Sequence, residues 1–350
     1  MADKVNIGVI GAGWWASLSH IPALIANPHV DIVAVNRPDR EGLDRVAAEF
    51  ALSHAYTDAA EMLAKEDLAG VVIASPHILH AEHARLALEK GLHVLIEKPM
   101  ATRAEDAQQL VALAGKKGVQ IIMPYGWNYK PILDTAHRLV AEGWVGEVRH
   151  VVAQMASALA DLFGGEPMVE TKDHLFRPPV STWADPEKSG GYGWGQLTHG
   201  LGALFRIVDL EPTGVFARTG LSPAGVDYYD AAVVEFANGA TMALSGAATV
   251  PKSRGYQIDI RIFGTEGMLL FDIERARVEA IRHDGQTHVE QLPADAGDYE
   301  QVAPITRFVD ICRGVPTVNP ADGTIGMRAT LVLDAMYRSA RSGRMEEVLQ

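Results

Sequence analysis

The sequence predicts an α/β protein, with a doubly wound parallel sheet in its first third and an α+β domain on a large, mostly antiparallel open sheet in the rest. Three observations carry that prediction. Up to Pro124, short β-branched apolar runs alternate with segments of helical period, the pattern of right-handed βαβ units. Beyond Pro124, apolar residues recur at every second position, so one sheet face is buried and the other is not. In that same part, Asn238-Gly239 and Asp284-Gly285 separate paired apolar runs, as tight hairpins require.

The first strands are expected over residues 5–10, 32–35, 71–74, 93–96 and 119–123, which are near-continuously apolar, as in strands covered on both faces. Thr102-Arg103-Ala104-Glu105 reads as a capping box leading into a helix, and Gly91 and Gly118 stand where helices turn back toward a strand. Residues 256–262 alternate strictly; the Asn-Gly turn joins 231–236 to 241–244, and the Asp-Gly turn joins 278–281 to 288–292. A helix over about 322–341, stopped by Gly343, closes the chain. Residues 164–195 are rich in Gly, Pro and Trp without a period, and loops of that length are usually functional. The domains are therefore expected at 1–124 and 125–350.

Composition removes several classes of function. The net charge is −13 with no basic stripe, which argues against a nucleic-acid reader. Cys312 is the single cysteine, so no intrachain disulfide or thiolate cluster is available and a reducing compartment is expected. No run of about 18 apolar residues exists to cross a bilayer, and Met1 to Ile7 pass straight into a strand without a secretory h-region. The cytoplasm is the expected location. His77, His80 and His83 recur every third residue, but no acidic or cysteine cluster accompanies them, so no metal site is expected.

Directly after the first strand comes Gly11-Ala12-Gly13-Trp14-Trp15-Ala16, the G-x-G-x-x-A fingerprint of a dinucleotide-binding Rossmann unit. Gly11 permits the tight turn, Gly13 lets backbone approach a pyrophosphate, and Ala16 keeps helix close to strand; the phosphates meet the helix N-terminus. At the end of the second strand, Asn36-Arg37 replaces the acidic residue that pairs with ribose hydroxyls in NAD sites. Donors and a guanidinium there predict NADP, with NAD as the alternative.

Further motifs fall in a recognisable order: Gly91-Leu92-His93-Val94 with Glu97-Lys98-Pro99, His20 to Leu24, Ser75-Pro76 with His80, and Gly143 to Glu147. Trp183 before Gly190-Gly191 and His199, Gly264 to Gly267, and Ser339 to Gly343 follow. On these the chain resembles, over nearly its whole length, the glucose-fructose oxidoreductase / inositol dehydrogenase / MocA (Gfo/Idh/MocA) family. The resemblance implies that Lys98 approaches both nicotinamide and reacting carbon, that His199 shares the proton work, and that Ser75, Pro76, His77 and His80 border the ribose and phosphates. Glu97, Pro99 and Trp127 are expected around the cofactor with them. It also implies dimers or tetramers built through the second sheet.

The residues support the chemistry independently of the resemblance. Oxidising a secondary alcohol by hydride loss requires a base for the hydroxyl proton, and Lys98 stands at the carboxyl end of a parallel strand, where open α/β sheets bind ligands. Burial beside a cationic ring should lower its pKa toward neutrality. Trp127, Trp183 and Trp194 offer flat faces to the C–H side of a sugar or cyclitol. Against the family pattern, Gly195 and Gly202 stand where carboxylates beside the histidine are common, Ala184 replaces an arginine, and Asn128-Tyr129-Lys130-Pro131 replaces an Arg-x-x-Pro motif. The expected function is hydride transfer between NADP and a secondary alcohol or ketone of a sugar, cyclitol or related polyol, with Lys98 as acid/base. The competing reading is a catalytically silent, cofactor-binding regulator of the same fold.

Overall fold

The computed structural model describes residues 4–349; the expectations for Met1 to Asp3 and Gln350 lie outside them. The first sheet consists of β1 (Val5–Ile10), β2 (Val30–Asn36), β3 (Ala55–Tyr56), β4 (Gly70–Ile73), β5 (His93–Ile96) and β6 (Ile121–Ile122). All pair in parallel, in the order β3-β2-β1-β4-β5-β6. Strand order reverses between β1 and β4, which opens a crevice at their carboxyl ends. β3 escapes sequence reading because two residues carry no period; only pairing of Val35 with Ala55 and Asn36 with Tyr56 reveals it.

One local expectation fails. Arg103, not Thr102, occupies the N-cap of the helix Ala104–Lys117 and makes no side-chain cap. Glu105 and Asp106 in the first turn and Lys116 and Lys117 in the last favour the helix dipole instead, and Gly118 closes the helix at φ 69°.

The second sheet contains β7 (Val148–Ala156), β8 (Pro212–Leu221), β9 (Asp227–Phe236), β10 (Thr241–Ala247), β11 (Gln257–Gly264), β12 (Gly267–Asp272), β13 (Arg277–Arg282), β14 (Thr287–Gln291) and β15 (Glu346–Glu347). Its order is β14-β13-β12-β11-β7-β10-β9-β8-β15, antiparallel except where β7 meets β10. Both Asx-Gly turns form as expected, with Gly239 at φ 80° and Gly285 at φ 90°. Residues of β9 and β10 alternate between buried and exposed, and Tyr229 and Val233 stand on the open face. The other face packs under the helices Pro131–Ala141, Thr198–Ile207 and Gly323–Ser342.

The helix Ala303–Cys312 returns to the first sheet, where Ile305, Phe308 and Val309 share a core with Ile7, Val9, Val72 and Leu95. It covers the sheet face that parallel strands cannot leave to water. Gly70 permits this approach, since a Cβ there would stand 2.6 Å from the Cys312 sulfur. Burial pushes the Cys312 thiol pKa up, so it behaves as core. No described helix is long and apolar enough to cross a membrane.

Candidate active site

A cavity of about 660 Å³ runs along the carboxyl edge of the first sheet, from Gly11 and Arg37 at one end past Lys98 to His199 and Tyr256 at the other. At the Gly11 end two glycines bring backbone to the wall. Gly11 adopts φ 82°, and a Cβ on it would stand 2.3 Å from the Ser75 nitrogen, so only glycine fits between β1 and the loop after β4. Gly13 faces open space, with nothing nearer than 3.7 Å to an added Cβ, and Ala16 is fully buried against the sheet. These are the features a pyrophosphate cradle needs.

Arg37 lines this end and is already engaged: it donates to Ala12 O at 3.2 Å, meets Asp39 Oδ2 at 3.4 Å, and lies 4.2 Å from the centre of the Phe176 ring. Arg45 approaches the same ring at 4.9 Å and donates to Leu175 O at 2.7 Å. Phe176 belongs to the long 164–195 segment, which thus reaches across the crevice; Trp14 Nε1 donates to His174 Nδ1 at 3.0 Å farther along it. Asn36 differs from expectation. Its side chain is buried and donates to Tyr56 O at 3.1 Å, holding β3 rather than facing the cavity. Asp39 and Arg45, both missed from sequence, are found only through these contacts.

Lys98 and its neighbours form the middle of the cavity. Glu97 accepts from His20 Nε2 at 2.8 Å and from the Lys98 backbone N–H at 3.0 Å. Burial opposes its charge, but these bonds and the Lys98 ammonium prevail and hold its carboxyl below the usual range. Lys98 Nζ donates to Gly195 O at 2.5 Å and lies 4.9 Å from the Trp183 ring. Burial pushes its pKa down to about 8, against the pull of Glu97.

His77 bonds Ser189 O at 2.9 Å, and burial takes it down to about 3. His80 stands between Pro99 O at 2.6 Å and Ser75 O at 2.7 Å. Carbonyls only accept, and burial disfavours the doubly protonated ring, so neutral His80 donates to one of them. Ser75, Pro76, His77 and His80 thus line the cavity, whereas Pro99 contributes its carbonyl behind it. Among the described residues no group of His, Cys, Asp or Glu is arranged to hold a metal.

His199 lines the far wall, boxed edge-on by Tyr125, Trp127 and Tyr299 with ring centres 5.4 to 5.6 Å away. Its Nδ1 is buried without a partner, and burial, with the Lys98 charge, keeps the ring neutral well below the usual pKa. The absent carboxylates have a steric reason. A Cβ on Gly195 would stand 2.7 Å from the Phe163 ring and one on Gly202 2.6 Å from Tyr125, so aromatic rings fill that space. Trp127 lies beside His199 with its Nε1 tied to Gly297 O at 2.9 Å, and Trp183 bridges Trp14, His77 and Lys98.

Trp194 does not join them. It stacks on Tyr337 of the C-terminal helix at 5.1 Å and lies outside the cavity wall, because the turn that aims Gly195 O inward aims its neighbour outward. Sequence reading also missed Gln196, Tyr256, Tyr299 and an apolar flank of Leu159, Leu162 and Met168, all on the wall. Gln196 alone had a signal, three residues before His199.

Two family models match the chain: "Oxidoreductase family, NAD-binding Rossmann fold" over residues 5–125 and "GFO/IDH/MocA C-terminal domain" over residues 133–270. The chain belongs to the GFO/IDH/MocA family. It is thereby an NAD(P)-dependent dehydrogenase or reductase. Its relatives in the family include D-xylose 1-dehydrogenase (NADP(+)) 2 of Haloferax volcanii, 25% identical with 97% of this chain and 99% of the relative covered. Another is dTDP-3,4-didehydro-2,6-dideoxy-alpha-D-glucose 3-reductase of Streptomyces antibioticus, 28% identical over 84% of this chain and 85% of that protein. The same fold occurs in levoglucosan dehydrogenase in complex with NADH, at TM-score 0.76 and 21% identity, covering 99% of this chain and 100% of that one.

Proposed function

We propose that this GFO/IDH/MocA enzyme interconverts a secondary alcohol and a ketone on a sugar, cyclitol or related polyol, preferring NADP. The observation that carries the reading is a buried lysine, its pKa pushed down to about 8, in the same cavity as the Gly11 turn and the open backbone at Gly13. Gly11, Gly13 and the helix start would hold the pyrophosphate, Arg37 the 2′-phosphate, and Ser75 to His80 the nicotinamide ribose. When bound, the nicotinamide supplies the hydride acceptor or donor.

The chain's own residues manage the proton. Lys98, as a neutral amine, takes the hydroxyl proton during oxidation and returns it from the ammonium during reduction. Gly195 O orients that ammonium, and Glu97, fixed by His20, sets the charge beside it. His199, neutral and without a carboxylate partner, orients the hydroxyl by hydrogen bonding rather than sharing charge. The D-xylose and dideoxyglucose activities named for the relatives support a sugar-like substrate.

The test is a panel of sugars, inositols, sugar acids and non-sugar alcohols with NADP and NAD, in wild type and Lys98→Ala. Turnover of a polyol that Lys98→Ala loses is expected. Unchanged turnover in Lys98→Ala overturns the acid/base role; rapid turnover of non-sugar carbonyls alone overturns the substrate class. Reduction of bound cofactor by no substrate at all favours the silent regulator.

A further inference from the structure

We infer that Asp227, with Tyr337, is a positioning residue for Lys98, holding the Gly193–Gly195 turn so that Gly195 O meets the lysine ammonium; this rests on the acid/base reading of Lys98. The helix that carries His199 opens with a wide π-type turn over Gly193–Leu197, and no side chain of its own segment caps it. Its leading N–H groups are satisfied from elsewhere in the fold: Gly193 N–H donates to Asp227 Oδ2 at 2.7 Å and Trp194 N–H to the Tyr337 hydroxyl at 3.3 Å. Tyr337 in turn donates to Asp227 Oδ1 at 2.8 Å. Helix starts usually take a local Ser, Thr, Asp or Asn cap. Here the cap ties the turn to β9 and to the C-terminal helix at once.

The surrounding sequence is shaped to it. A Cβ on Gly191 would stand 2.0 Å from Asp227 Oδ1, and one on Gly193 2.6 Å from the Tyr337 hydroxyl. Trp194 lies flat on the Tyr337 ring, 13° from parallel, which explains its absence from the cavity. Two residues past the capped Gly193, Gly195 O points the other way and accepts from Lys98 Nζ at 2.5 Å.

Asp230 completes the arrangement. Both its oxygens are buried and no donor reaches them, and Asp227 stands beside it. Burial and the neighbouring Asp227 push the Asp230 carboxyl well above its ordinary range, and burial pushes Asp227 up too, while Asp227 accepts from Gly193 N–H and the Tyr337 hydroxyl. Neither acid lines the cavity. Their effect on the reaction runs through the turn.

The experiment follows Lys98 directly, in the full chain, by its pH titration in NMR of side-chain-labelled lysine, assigned with Lys98→Ala. Glu97, His77, His80 and His199 face the ammonium and are unchanged in the variants. Asp227→Asn and Tyr337→Phe loosen the turn, remove part of the carbonyl's hold on the charged form, and move the titration from about 8 to below about 7.5. With whichever substrate the panel identifies, kcat falls about tenfold, as for a weakened bond to a charged group, and KM for NADPH holds. Variants that fold, titrate as wild type and turn over as wild type would overturn the inference and leave an ordinary helix cap. If Asp227→Asn does not fold, Tyr337→Phe, which loses a single hydroxyl, decides. Failure of the acid/base reading is separate: it appears as activity in Lys98→Ala whatever the lysine's titration does.

Discussion

The two ends of the cavity are built by different rules. At one end, Gly11 and Gly13 lie within three consecutive residues, and what they present to the cavity is backbone. At the reacting end, Lys98, Trp127, Trp183, His199 and Tyr299 arrive from five separate segments, and what they offer is side chains in an aromatic box. Local sequence can encode a cradle; only the meeting of two sheets can encode a box. The difference also shows why Gly195 and Gly202 carry no side chain, since rings from distant segments occupy that volume.

The sharpest break of this comparison is Lys98→Ala. Turnover should fall about 10²- to 10⁴-fold, the range for losing a positioned acid or base, while NADPH binding by fluorescence titration persists. The next is Gly11→Ala, whose Cβ would enter the Ser75 backbone; cofactor affinity and melting temperature should both drop, with a destabilisation of about 1–3 kcal/mol for overpacking. Full NADPH affinity in this variant would contradict a backbone cradle. Restoring the family's acid as Gly195→Asp should act alike at the other end, costing about 1–3 kcal/mol against Phe163 without raising kcat.

The pH profile sharpens the roles. A lysine titrating at about 8 makes oxidation rise with pH and level off above that value, and makes reduction fall over the same interval. His199, neutral well below its ordinary pKa, adds no limb near 6.5; a limb there that vanishes in His199→Asn would reassign the proton work. A smaller effect belongs to Arg37→Ala, which should weaken NADPH about tenfold relative to NADH, read as the ratio of kcat/KM. Smallest is Trp194→Phe, which keeps the stack on Tyr337 and should leave substrate KM unchanged.

Much of the fold was legible because its signals are periodic. The doubly wound sheet, the Asn-Gly and Asp-Gly hairpins and the closing helix followed from apolar spacing and turn chemistry. β3, with two residues, had no period to read, and the helix expected to start at Thr102 has Arg103 at its N-cap with no side-chain cap. At the site, Lys98 and His199 stand out as residue types in motifs, whereas Trp194, equally prominent in sequence, turned outward, and Asn36 turned to Tyr56. The direction of Trp194 goes with the groups its turn bonds, and those partners, Asp227 and Tyr337, lie 34 and 143 residues away.

By itself the sequence determined the fold class, the glycine-rich turn after β1 and several of the residues that line the cavity around Lys98, because each depends on local spacing or on a residue's intrinsic chemistry. The tertiary structure alone decided which tryptophans face the cavity, why two carboxylates are missing, and how far the lysine's charge is desolvated. Those properties belong to volumes enclosed between distant segments, and volume is not written along a chain.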